Sequence, residues 1–516
     1  MTVVPIAFFL LGALITWLIR DRHTRTQWVV ASVSAFIAWA YVLFLDVGSA
    51  RSFGLSIWQP ADLFQSPISF TIDTITWPLI YGAATVLLAV VLTCAAQPHA
   101  ATAGARSFWF FYTGSALIAI MSANLLTVVI AWALMDFGAL FFLLKISESD
   151  SARRSIFVRA GVNAVGVMVV FGAAMASDIQ GITALDLAST SAAGILMLAL
   201  AALLRLGLVP LHYALPTVEP LRREAGTLLR LFPPVVAISL LARVFDAGLP
   251  PGLRGIFLIA GGIGGIFGGL RWVLQDEMVR ARPFFVLALV SLGLIIAVIA
   301  PDGAMVLVAT GVLLLLVGAV LSLFAQHTPS HRVIPVLSAI LLVGAPFTPG
   351  AIYAAAVANP ETVVTEPLMS SLAVITAALL ALGCIHLFFA AETPWPIGES
   401  LGRVMFNIGL ILPILAALGI GLWRIQADYF RSGIFALTAL VLGAGFFLGF
   451  RRLSTEHARR LRHLFQFIEP GRLYRLIWRV SQRALVELRG LGELFEGGSG
   501  MLWLFVFVIF LLLILL

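Results

Sequence analysis

The sequence predicts an all-α, polytopic membrane protein of about sixteen transmembrane helices, with two inverted five-helix repeats and breaks in the seventh and twelfth spans. The prediction comes from its apolar composition, the spacing of its apolar runs and the one-sided placement of its arginines. Hydrophobic residues make up 61% of the 516-residue chain and charged residues 11%, with a mean hydropathy of +1.05. These values lie far outside the range of water-soluble domains. One crossing takes roughly 20 residues, so the length accommodates about fifteen to sixteen.

The apolar runs place spans at 3–19, 27–46, 76–96, 106–122, 124–145, 156–176, 191–209, 226–246, 252–270, 283–300, 303–325, 333–357, 366–391, 404–423, 432–450 and 500–516. The first run lacks a basic leader and a cleavage site, so it is read as a retained helix. With the N-terminus outside, the cytoplasmic side collects Arg20, Arg22, Arg25, Arg106, Lys145, Arg153, Arg154, Arg222, Arg223, Arg271, Arg280, Arg282, Arg332, Arg403 and ten arginines between 451 and 489. The other side holds Arg51, Arg243, Arg254, Arg424 and Arg431. This positive-inside bias predicts a cell (inner) membrane location with basic loops in the cytoplasm. The formal net charge of +7 is then a mark of orientation, and no nucleic acid is implied.

Five organisational blocks and a final span follow. Residues 1–105 hold spans 1 to 3, 106–246 a first five-helix repeat, and 252–391 a second that the odd count inverts. Residues 404–450 hold spans 14 and 15, and 451–499 form a basic amphipathic segment at the cytoplasmic surface before the last span, 500–516. The fourth span of each repeat is the interrupted one. Pro210 and Pro216 follow span 7, while Gly344, Pro346, Pro349 and Gly350 fall within span 12. Proline takes a donor out of the helical ladder, and in lipid the freed carbonyls are tolerated only where protein or water satisfies them. The run Gly261–Gly269 has small-xxx-small spacing for close helix packing. No strand precedes it, which excludes a nucleotide fingerprint. Cys94 and Cys384 lie far apart in apolar runs, so neither a disulfide nor a metal cluster is indicated, and no cofactor is.

The stretch from Leu204 to Arg243, LRLGLVPLHYALPTVEPLRREAGTLLRLFPPVVAISLLAR, resembles a signature of the proton-conducting membrane transporter superfamily. That group takes in the antiporter-like subunits of respiratory complex I, multisubunit cation/proton antiporters, membrane hydrogenases and membrane partners of inorganic-carbon uptake systems. Pro210, His212, Leu215, Pro216 and the Leu241-Ala242-Arg243 ending match the signature without a gap. Ser69–Trp77 is similar to the family's entry to span 3, Ser122–Met135 to its turn between spans 4 and 5, and Gly344–Gly350 to its break in span 12. Asp73 stands where the family places an aspartate and is read as a helix-start residue. The resemblance implies a membrane subunit of a multi-subunit complex that translocates protons or cations, coupled to a partner enzyme. Its partners would be other membrane subunits and a soluble or peripheral enzyme on the cytoplasmic side. The chain has no catalytic site of its own; at most it belongs to an NADH:quinone oxidoreductase-like or hydrogenase-like translocase.

The departures bear on mechanism. The glutamate expected after Trp132 is Ala133, and the nearest acid, Asp136, lies one turn along the same face. Arg205 and Arg230 stand at the family's lysine and histidine positions, while Thr310 and Tyr353 or Ala354 replace charged groups of the second repeat. Lys145 is the only lysine in the chain. A guanidinium does not give up its proton near neutral pH, so the arginines are expected to act as fixed charges, with Asp136 as the partner of Arg205. His212, Glu219 and His386 are candidates for a cytoplasmic entrance, with an interfacial structural role as the plainer reading of each. Two functions compete: an ion-translocating subunit centred on Asp136, or a non-conducting scaffold that docks an enzyme. A polar file reaching span 12 favours the first, and an apolar second half favours the second.

Overall fold

Polar residues punctuate the apolar runs and set where helices begin. Asn124 Oδ1 accepts the Thr127 N–H at 2.8 Å, Ser191 Oγ accepts the Gly194 N–H at 3.2 Å, and Asp302 Oδ1 accepts the Met305 N–H at 3.1 Å. Each satisfies a first-turn donor that has no partner within its own helix. The computed structural model describes residues 2–45, 51–55, 67–96, 104–147, 149–179, 190–215, 221–275, 278–389, 400–423 and 427–452.

Among these residues there are seventeen α-helices. They are α1 (Val4–Leu18), α2 (Thr24–Leu43), α3 (Thr76–Thr93), α4 (Ala105–Met121), α5 (Leu125–Ile146), α6 (Asp150–Ile179), α7 (Ala192–Arg205), α8 (Arg223–Asp246) and α9 (Pro251–Leu274). The others are α10 (Met278–Ile299), α11 (Gly303–Leu323), α12 (Val333–Leu342), α13 (Ala351–Val357), α14 (Pro360–Thr365), α15 (Pro367–Phe388), α16 (Ser400–Trp423) and α17 (Tyr429–Arg452). Eleven of them are long and apolar enough to cross a membrane. Helices α3, α8, α10 and α11 are buried nearly all round and form the centre. Peripheral helices instead expose large apolar side chains, including Phe141, Ile259 and Leu437, which only a lipid environment favours at this density. The chain is a multi-pass membrane protein.

Helix α4 packs on α5, α5 on α6, α6 on α7 and α7 on α8, and α8 returns to α4. Helix α9 packs on α10, α10 on α11, α11 on α12 and α12 on α15, and α15 returns to α9. Each of these two sets closes a ring of neighbours.

Several boundaries differ from the sequence expectation. Span 7 ends at Arg205 rather than 209, because Gly207 takes φ +72° and closes a Schellman turn. Its N–H donates to the Leu204 carbonyl at 3.1 Å, and the Leu208 N–H donates to Leu203 at 3.0 Å. Span 12 is interrupted where the sequence places its break: it is two helices, α12 and α13, separated at Gly344, whose φ is +74°. Gly344 and Gly350 lie back to back there, and a Cβ on Gly344 would come within 2.5 Å of the Gly350 carbonyl oxygen. Span 10 begins five residues early, at Met278 instead of 283. Two short strands escaped the sequence reading: β1 (Arg51–Leu55) pairs antiparallel with β2 (Ile68–Ile72), with Phe53 opposite Phe70. The backbone and side chains around β2 tie to the α4–α5 turn, with the Ala123 N–H donating to the Ser69 carbonyl and Asn124 Nδ2 donating to the Ser69 hydroxyl. Pro216, Glu219, the greater part of the basic segment 451–499 and the span 500–516 lie outside the described residues.

The glycine run of α9 is a packing surface. A Cβ at Gly268 would meet the Ala288 backbone nitrogen of α10 at 2.8 Å, and one at Gly269 would meet Leu379 of α15 at 2.8 Å. Gly255 has nothing within 4 Å. Gly268→Ala is expected to lower the melting midpoint of the purified protein, at a cost of about 1–3 kcal/mol because rigid backbone must move. Gly255→Ala is expected to leave it unchanged or slightly raised. Fluorescence-detected melting of both variants checks this.

Candidate functional site

Trp132 and Asp136 lie one turn apart on α5 and face the end of α7. Arg205 is the last residue of α7, where the helix's exposed carbonyls carry partial negative charge and favour a cation. Its Nη2 donates to Asp136 Oδ1 at 2.5 Å, and its guanidinium carbon stacks 4.2 Å from the Trp132 ring centroid. Arg205 is 1% exposed and Asp136 15%. Asn163 of α6 donates from Nδ2 to the same Oδ1 at 3.3 Å. The pair expected from the sequence is formed, and Trp132 of α5 and Asn163 of α6 hold it. Asp136 Oδ2 and the Arg205 Nε and Nη1 atoms have no hydrogen-bond partner among the described residues.

A second set of charges begins beside this pair. Pro233 has no N–H to offer the Leu229 carbonyl four residues earlier. That carbonyl accepts from Nη2 of Arg159, on α6, at 3.1 Å. Arg159 also lies within electrostatic reach of Asp136, Arg205 and the buried phenol of Tyr112. Arg230, next to Leu229 on α8, folds back along its helix until Nη1 sits 2.6 Å from where Gly226 would carry a Cβ. Arg230, like Arg159 and like Arg282 of α10, is buried.

Arg282, which the sequence places among the basic residues of the cytoplasmic side, is buried in the first turns of α10. Among the described residues of 252–391 it is the only buried arginine, lysine or carboxylate. Thr310 donates to the Val306 carbonyl of its own helix at 2.8 Å. The Tyr353 hydroxyl donates to the Leu342 carbonyl, which Pro346 leaves without its helical donor. Ala354 is buried.

The two entrance candidates among the described residues, His212 and His386, have other neighbours. His212, at φ +59° in the turn after α7, packs against Tyr213, Phe267 and Phe284, with Arg271 in electrostatic reach. His386 is exposed in the last turn of α15 and lies edge-on to Phe447. Pro210 and Pro346 are partly exposed at their breaks, whereas Pro349 and Gly350 are buried. Pro349 helps line an apolar cavity of about 170 Å³ with Trp77, Val312 and Ile420. Asp73 is a helix-start residue, accepting from the Ile75 and Thr76 N–H groups, and it also pairs with Arg243 at 3.2 Å. Among the described residues no cluster of His, Cys, Asp and Glu could hold a metal ion.

The sequence matches no protein-family model and no curated protein. The structure is similar to several solved ones. A chain of the Mrp complex from Dietzia sp. superposes with a TM-score of 0.67 at 14% identity, over 96% of this chain and 63% of that one. This chain therefore spans under two thirds of that relative's length. A chain of respiratory complex I from Thermus thermophilus gives 0.68 at 16% identity, over 86% of this chain and 99% of that one. A chain of the membrane-bound sulfane sulfur reductase, an archaeal respiratory membrane complex, gives 0.71 at 13% identity, over 99% of both chains. The chain shares its fold with these chains of membrane complexes.

Removing the carboxylate alone strands a buried guanidinium, so Asp136→Leu is expected to destabilise the protein by on the order of 3 kcal/mol. The double variant Asp136→Leu/Arg205→Met is expected to regain most of this. A double-mutant cycle of melting midpoints measures the coupling.

Proposed function

We propose that the chain is a membrane subunit of a multi-subunit complex and that it moves protons through its first five-helix unit, with Asp136 as the proton-carrying group. The observation that supports this reading best is the Asp136–Arg205 pair at 2.5 Å, buried where the end of a broken helix meets an unbroken one. The guanidinium of Arg205 stays charged, so the carboxylate is the member of the pair assigned to proton transfer. A partner that shifts α7 against α5 would open and close the pair. Trp132 and the α7 carbonyls would hold Arg205 while its carboxylate is protonated. Two inverted repeats would explain the two rings of neighbours, and basic loops facing the cytoplasm would dock the partner enzyme.

A specific observation favours a second reading. Thr310 and Tyr353 satisfy backbone carbonyls, and among the described residues of 252–391 no arginine, lysine or carboxylate but Arg282 is buried, so the second block would be an apolar support, and the chain a scaffold that docks an enzyme without conducting.

Proton flux in vesicles holding the purified complex separates the two. Asp136→Asn, at matched assembly, is expected to reduce flux about 100-fold, the lower range for loss of a positioned proton-transferring group. Thr310→Val is expected to leave it intact. Native flux that survives Asp136→Asn at matched assembly would overturn the conducting reading, as would native complex that carries no flux.

A further inference from the structure

Helices α5 and α6 are consecutive, closely spaced in the chain and packed on each other, so they run antiparallel as a helical hairpin. Heights along them count from the turn. Asp136 lies ten residues before the end of α5 at Ile146, and Arg159 nine residues after the start of α6 at Asp150. At 1.5 Å per residue these are about 15 Å and about 14 Å, so the two side chains spring from nearly the same level. Asn163 is one turn further along α6, and its Nδ2 reaches Asp136 Oδ1 at 3.3 Å. Residues four apart share a helix face, which puts Arg159 on the face of α6 that meets Asp136.

The unmet atoms around this face are complementary. Among the described residues, Asp136 Oδ2 and Asn163 Oδ1 accept no hydrogen bond and Arg159 Nη1 donates none. Such groups are rarely left unmet in a protein interior. Arg159 is buried, and its Nη2 donates to the neutral Leu229 carbonyl at 3.1 Å, so the contact fixes its position without pairing its charge. Arg205 keeps favourable neighbours if its carboxylate leaves, since it stacks on Trp132 and stands at the carbonyl end of α7. The carboxylate does not. With the pair open and its proton given up, Asp136 would be a buried anion parted from its cation, which a low-dielectric interior strongly disfavours. Opening the pair therefore calls for a second cation within reach.

We infer that Arg159 is that second cation: Asp136 stands between two fixed guanidinium groups, Arg205 on α7 and Arg159 on α6, and its carboxylate passes to Arg159 when α7 draws Arg205 away. The inference rests on the reading of Asp136 as the proton-carrying group and names the residue that positions it in the open arrangement. Oδ2, the oxygen that Arg205 leaves unbonded, would accept from Arg159 Nη1. The forked guanidinium allows Nη2 to keep the Leu229 carbonyl at the same time. The carbonyl freed by Pro233 would thus hold the receiving arginine in place, and the exchange would tie the state of the carboxylate to α8.

Melting midpoints of the full-length purified protein are measured for Arg159→Met, Asp136→Asn and their combination, first with Arg205 in place and then with Arg205→Met. With Arg205 removed, Arg159→Met is expected to lower the midpoint and the added Asp136→Asn to restore most of the loss, because the two are then partners. With Arg205 present, Asp136→Asn is expected to restore none of it. Arg205→Lys is run as a milder background, with the same expectation at reduced size, so that a failure of Arg205→Met to fold leaves the test standing. No coupling between positions 136 and 159 in either altered background would overturn the inference. So would coupling of equal size with Arg205 in place, which would make Arg159 a permanent partner. Proton flux at matched assembly adds a readout of charge: Arg159→Met is expected to lose flux and Arg159→Lys to retain it. Native flux that survives Arg159→Met would overturn the exchange. A native complex that carries no flux would sink the proton-carrying reading alone, and the melting cycle would still decide whether Arg159 is the second partner.

Discussion

In hydrocarbon a freed backbone carbonyl must find a donor within the protein, and the chemistry of this bundle depends on how each one does. Pro233 releases the Leu229 carbonyl, and Arg159 crosses from α6 to take it. Pro346 releases the Leu342 carbonyl, and Tyr353 reaches back across the break to take it. The end of α7 is closed by Gly207, so that Leu203 and Leu204 find backbone donors and Arg205 is left as the terminal helical residue. In the first block one repair recruits a charged side chain and another uses the backbone, and in the second a neutral phenol serves.

Seen this way, the Asp136–Arg205 pair is well supplied. Trp132 offers the guanidinium of Arg205 a ring face, Asn163 offers the carboxylate an amide, and the α7 carbonyl end offers the cation a favourable dipole. A charge in hydrocarbon is held only where such partners exist.

Much of this was legible in the sequence because membranes constrain sequences severely. Hydropathy located the helices, and the small residues of Gly261–Gly269 pointed to the close contacts that α9 makes with α10 and α15. The pairing of Asp136 with Arg205 could be read from one helical turn of spacing beside Trp132, together with a resemblance at span 7. Arg159 and Asn163 were missed because they lie in the half of α6 that composition treats as an ordinary span start. Arg282 was missed because a basic run beside an apolar one looks like a loop, whereas the helix begins at Met278 and carries the arginine inward. Pro233 was the available signal: it announces an orphan carbonyl at Leu229, though not which side chain answers it. The strands β1 and β2 were lost in the long connection between two spans, where no hydropathy pattern marks them.

The solitary lysine has a practical consequence. Lys145 is exposed in the last turn of α5, nine residues along the helix from Asp136, which at 1.5 Å per residue is about 13 Å. An amine-directed fluorophore therefore has one side chain to find in the whole protein, and that side chain rides on the helix that carries the carboxylate. Without any engineered cysteine, the chain holds a native attachment point from which the movement of α5 can be watched optically.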